Sequence, residues 1–142
     1  MYNALDIARY VINYCNKKQK PISNLKLQKI LYFLWIDYFK ATQEYLFDNE
    51  IYAWKFGPVV PDVYYEFCAY GGVPILRDFQ IEINNNDKEI IDATIDKCIE
   101  LTPYQLVEKT HKSNTAWYKT VHDVGLKELI PFTLIEEMEC EN

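Results

Sequence analysis

Histidine is scarce in this chain, with only His111 and His122 present. Eleven residues apart, they cannot form the paired ligands of a helical metal site, and no HExxH, GxSxG, Walker or GxGxxG pattern occurs. The four cysteines, Cys15, Cys68, Cys98 and Cys140, stand far apart without a CxxC or CxH cluster, which excludes a zinc knuckle or a redox pair. They read as reduced and mostly buried thiols, and no metal or cofactor is expected. Long apolar runs are lacking too: the longest, Ile30 to Ile36, falls far short of the roughly 20 residues a bilayer span needs. Met1-Tyr2-Asn3 has neither the basic region nor the apolar core of a signal segment. A cytoplasmic protein with no membrane association is expected.

What the chain does have is apolar and aromatic surface. Of 142 residues, 49% are apolar and 15% aromatic, well outside the composition of disordered chains, and the length suits one domain over residues 1–142. The net charge of -6 is unevenly placed. The first 40 residues hold seven Lys/Arg against two Asp, and the remainder eight against nineteen Asp/Glu. The acidic part would repel nucleic acid, so no nucleic-acid partner is expected. Lys17, Lys18, Lys20, Lys26 and Lys29 read as solvated helix ends, with attraction to an acidic partner as the alternative.

The patterning predicts a mainly α (α+β) fold: a compact helical domain around a buried central helix, with a small antiparallel β element. Asn3 with Asp6 marks a helix start, and Leu5, Ala8, Ile12 and Cys15 form its stripe. Ser23 caps a second helix from Leu25 to about Phe39 that is apolar nearly all round, hence central, with Lys26, Lys29 and Lys40 reaching water by their stems. Ala41 to Glu50 reads as a loop, Ile51 to Trp54 as a short strand, and Gly57-Pro58 as a turn. Pro61 and Asp62 open a helix that Gly71 ends. Ile75 to Ile83 alternates as a half-buried strand does, with a turn at Asn84 to Asp87. Helices follow from Lys88 to about Leu101, from Thr102-Pro103, within Ser113 to Val124, and from Pro131, before a frayed acidic tail.

Candidates for catalysis are few. His111 could act as a general base beside carboxylates gathered by folding, yet a lone histidine in a helical protein is more often structural. Cys68 has no basic neighbour in sequence, and apolar surroundings would leave it inert. The stretch KFGPVVPDVY is more informative, because Pro58 and Pro61 fix their own backbone and restrict Gly57 and Val60. Such stiffness lowers the entropy lost on association. Trp54, Phe56, Tyr64 and Tyr65 are residue types that dominate interfaces, although composition alone favours core packing.

ISNLKLQKILYF (Ile22 to Phe33), IYAWKFGPVVPDVYYEF (Ile51 to Phe67) and LVEKTHKSNTAWYK (Leu106 to Lys119) together resemble the Panacea antitoxin domain family, the SocA-like and GepA-like proteins found beside phage and toxin genes. The resemblance spans nearly the whole chain. It implies a mainly helical module, without catalytic activity, that neutralises a toxin by binding it directly. The family's motif falls on Leu25 to Gln28, on Trp54 to Pro61, and on His111 and Trp117. From it the partner-binding residues expected are Trp54, Lys55, Phe56, Gly57, Pro58, Val59, Pro61, Tyr64, His111 and Trp117. The partner implied is a cognate toxin encoded next door, with a cytosolic protease as a further candidate. Two other readings stay open: a phage or mobile-element protein of this fold that binds a host defence factor, and a small enzyme using His111. The chain shows no DNA-binding extension of the kind many relatives carry, and its acidic C-terminal part has no assigned role.

Overall fold

The computed structural model describes residues 1–141, which form seven helices and three short strands. Helix α1 (Ala4–Lys17) starts where the Asn3 side chain accepts from the Leu5 N–H, and it buries Ile7, Ala8, Val11, Ile12 and Cys15. Helix α2 (Asn24–Thr42) starts at Ser23, whose hydroxyl accepts from Lys26 N–H. It runs three residues past Phe39, so Ala41 and Thr42, expected in a loop, are helical; Gln43 in the left-handed region (φ 61°) ends it. The predicted central role holds, with Leu27, Ile30, Leu31, Leu34 and Trp35 buried on several faces. Lys29 does not reach water as expected. It is 0% exposed, because its position faces the sheet and not the helix end.

Strands β1 (Ile51–Trp54), β2 (Gly57–Val59) and β3 (Glu128–Ile130) form an antiparallel sheet ordered β2-β1-β3. Pairing of Trp54 with Gly57 makes Lys55-Phe56 the two-residue turn, which corrects the expected turn at Gly57-Pro58. No pattern in the sequence announced β3, which sits opposite β1 with Ile130 paired to Ile51.

Ile75 to Ile83 is not a strand. Its alternation is real, with Ile75 and Ile83 buried, but alternation specifies a face and not a hydrogen-bonded neighbour. Side-chain amides of α1 take the place of that neighbour. Asn13 bonds both the N–H and the carbonyl of Phe79, and Asn16 donates to the carbonyls of Ile75 and Arg77.

Helix α3 (Pro61–Phe67) has proline in its first turn and passes through a 3-10 turn, Cys68–Tyr70, to Gly71 at φ 59°. Asn84 caps α4 (Asn85–Ile99), so the expected turn at Asn84 to Asp87 is that helix's first turn. Thr102 and Gln105 form a reciprocal capping box at α5 (Pro103–Thr110), and Thr115 caps α6 (Ala116–Asp123). Helix α7 (Phe132–Ile135) continues into a π-helical turn, Glu136–Cys140. That turn is anchored and not frayed: Glu139 accepts from the Tyr32 hydroxyl and the Ala116 N–H, and Cys140 is buried. Cys15, Cys98 and Cys140 are buried free thiols, whereas Cys68, expected among apolar neighbours, is exposed.

Four tyrosines tie the N-terminal helices to α4. Tyr10 donates to Asp92 at 2.6 Å and Tyr14 to Asp96 at 2.7 Å, while Tyr2 and Tyr38 share Asp87. Burial, then the adjacent carboxylate, pushes Tyr10 and Tyr14 above the usual phenol range and Tyr38 to about 12. A phenol held neutral in the fold stabilises it below the unfolded value and loses that contribution as pH rises through it. Unfolding free energy should therefore fall above about pH 10. Tyr10→Phe should cost about 0.5–1.5 kcal/mol at pH 7 and show a shallower alkaline loss in denaturant titrations.

Candidate functional site

The β1-β2 hairpin rests on side chains from two helices. Gln28 of α2 accepts from Val60 N–H at 2.9 Å, Lys29 Nζ donates to the Pro58 carbonyl at 2.7 Å, and Trp117 Nε1 of α6 donates to the Trp54 carbonyl at 2.7 Å. Gln28 also donates to Asn24 Oδ1, and Asn24 in turn to the Tyr64 carbonyl of α3. Residues 24 and 28 lie one turn apart on one face of α2, so a single helical stripe reaches the proline loop at Val60 and α3 at Tyr64.

Gly57 is required where it stands. Its φ of 111° disfavours side chains, and a Cβ there would lie 2.7 Å from Thr110 Oγ1 and 2.9 Å from Lys29 Cε. The space a side chain would fill is held by the lysine. Burial without a carboxylate partner pushes the Lys29 amine down to about 7. Beside it, the His111 ring lies flat on Trp117, with centroids 3.7 Å apart and planes 4° from parallel. Its Nε2 is buried without a hydrogen-bond partner, and burial followed by the Lys29 charge lowers its pKa. The polar pocket that a general base would occupy is replaced here by an indole face.

On the outer side, Trp54 is half-buried and meets Tyr64 edge-on at 4.9 Å and Tyr65 at 6.0 Å. Phe56 at the hairpin tip is 56% exposed and Tyr65 64% exposed. A groove of about 340 Å³ opens between the tip and α2, walled by Leu25, Trp54, Phe56, Val59 and Tyr64. Lys29 forms part of its floor, and exposed Lys55 and Lys127 stand at its rim. On the far side of Trp54, a wider groove of about 640 Å³ carries Asp48, Glu50 and Asp62 with Tyr52 and Tyr65.

The ten residues expected at the site are thus brought to one region but not to one surface. Lys55 and Phe56 are exposed, and Trp54, Pro61, Tyr64 and His111 are half-buried. Gly57, Pro58, Val59 and Trp117 are buried and shape the hairpin from within. Lys29, Thr110 and Lys127 belong to the region and were not anticipated. A signal for Lys29 did exist: a lysine inside a helix that is apolar on all faces has few routes to water. Among the described residues, no cluster of three or more His, Cys, Asp or Glu could hold a metal, and no helix is long and apolar enough to cross a membrane.

The family model described as antitoxin SocA-like, Panacea domain, matches residues 27–118, from Leu27 of α2 through the hairpin to Trp117 and Tyr118 of α6. It leaves β3 and α7 outside. Antitoxin SocA of Caulobacter vibrioides (strain NA1000 / CB15N) is 30% identical over 128 residues, covering 81% of this chain and 68% of that protein. No solved structure matches the chain.

The depressed Lys29 amine makes stability depend on pH. Unfolded, it holds its proton up to about 10.5, but folded only to about 7, so the unfolded state binds more protons between those values. Stability should rise from pH 7 to 8, below the range where thiols and phenols titrate, by at most about 1.4 kcal/mol per pH unit from this group. Lys29→Met should flatten that slope in denaturant titrations between pH 7 and pH 8.

Proposed function

This chain belongs to the antitoxin SocA-like family of Panacea domains, and we propose that it neutralises a partner toxin by direct protein–protein binding. The face that would meet the toxin is the hairpin tip with its flanking rings: Trp54, Lys55, Phe56, Tyr64, and beside them Leu25 and Tyr65. One observation carries the placement. A phenylalanine stands largely in solvent at the tip of a hairpin whose backbone is braced from below. Exposed rings on a stiff support lose little entropy on docking and are the residue types that supply most interface energy.

Gly57, Pro58, Val59, His111 and Trp117 act in this reading as the support and not the contact. Pro61 fixes the start of α3 and so the positions of Tyr64 and Tyr65. Free thiols fit a reducing compartment, consistent with action in the cytoplasm. A stable complex should bury at least about 1,000 Å² in total, more than the hairpin tip alone offers, so the contact extends onto α3 and the start of α2.

The test is co-expression with the product of the adjacent gene, followed by affinity capture. Capture together with rescue of growth supports the reading. A neighbour that neither binds nor harms cells, with no other toxin rescued, sinks it. Phe56→Ala should change stability by no more than about 0.5 kcal/mol, yet weaken capture by roughly 1–3 kcal/mol.

A further inference from the structure

Beneath the groove between Leu25 and the hairpin tip lies a fully buried amine with no counter-charge. Lys29 Nζ uses one donor on the Pro58 carbonyl. Among the described lining residues are three lysines, Lys29, Lys55 and Lys127, and no Asp or Glu. This stands out in a chain carrying 21 acidic and 15 basic residues. A methionine at position 29 would fill similar volume without the cost of desolvating an amine. The fold has instead made room for it, through the missing Cβ of Gly57 beside Lys29 Cε and Thr110 Oγ1. An amine buried without a counter-charge is the arrangement expected of a site whose anion arrives with the ligand.

We propose that this groove is a carboxylate site, taking an apolar side chain of the partner polypeptide together with a carboxylate next to it. The apolar group lies against Leu25, Trp54, Phe56, Val59 and Tyr64, and the carboxylate turns toward Lys29 and the rim lysines. The cavity of about 340 Å³ accommodates one large side chain and its acid group. Charge complementarity selects this occupant: Lys55, Lys127 and the buried Lys29 amine border a groove with no Asp or Glu in its lining, so a basic segment would meet no fixed anion there. That a polypeptide supplies the acid rests on the antitoxin reading; the carboxylate chemistry does not.

The test uses the full chain with N-acetylphenylalanine and N-acetylphenylalaninamide, which share an apolar group and differ in the carboxylate. The acid should bind at least about tenfold more tightly than the amide, the equivalent of one charge-assisted hydrogen bond. Backbone resonances of Phe56 and Val59 should move, and Lys29→Met should equalise the two probes. In protein labelled at lysine Nζ, the Lys29 resonance should respond to the acid and not to the amide, so the proposal stays testable if Lys29→Met does not fold. Equal affinities, no binding of either probe, or a preference retained in Lys29→Met would overturn it. Competition separates the sources: acid that binds but fails to displace the captured toxin points to a free small carboxylate and refutes the polypeptide. If acid selectivity holds and no toxin is ever neutralised, the antitoxin reading falls while the site stands. If toxin is neutralised and the probes bind equally, the reverse is true.

Discussion

A hairpin with one strand of four residues and one of three cannot hold its own shape in water. Here the missing stability comes from helical side chains that bond the hairpin backbone: Gln28 at Val60, Lys29 at Pro58 and Trp117 at Trp54. Each bond reaches a different point along the loop, so the tip cannot tilt without breaking at least one. The prolines act in the same direction by removing backbone freedom that the bonds would otherwise have to restrain. Rigidity at the tip is therefore a property of α2 and α6 as much as of the loop itself.

The charge imbalance of the chain is in part internal. Acidic residues of α4 receive tyrosines from α1 and α2, Glu100 pairs with Lys20 at 3.0 Å, and Lys97 pairs with Asp37 at 3.1 Å. Lys26 donates to the Ile99 carbonyl at the end of α4. Lys20, Lys26 and several N-terminal tyrosines thus meet α4 and the residue that follows it, while Lys17 and Lys18 stay exposed.

Elements with local punctuation were legible in the sequence. Asn3, Ser23, Pro61 and Thr102-Pro103 each state a helix start within a few residues, and each start falls where they indicate. Features decided at long range were not. The segment Ile75 to Ile83 alternates correctly but meets asparagine side chains instead of a strand, and β3 needs a partner more than seventy residues away. The turn shifted from Gly57-Pro58 to Lys55-Phe56 because the sheet register, and not the proline, positions it. At the site, residue type did not separate support from surface: Gly57, Pro58, Val59 and Trp117 were expected at the partner face and are buried. The burial of Lys29 had one signal, its place inside a helix apolar on nearly all faces, but Gly57 and Thr110, which enclose it, are distant in sequence.

Trp54 stands as a ridge between two grooves of different electrical character, one bearing Asp48, Glu50 and Asp62, the other with lysines as its only charged residues, and Lys127 lines both. Such a face has a polarity as well as a shape. A polypeptide laid across the indole end for end would set like charges together on both flanks, whatever its apolar fit. In the proposed complex the ring would be the pivot between these flanks, and their charges would favour one direction of the bound segment.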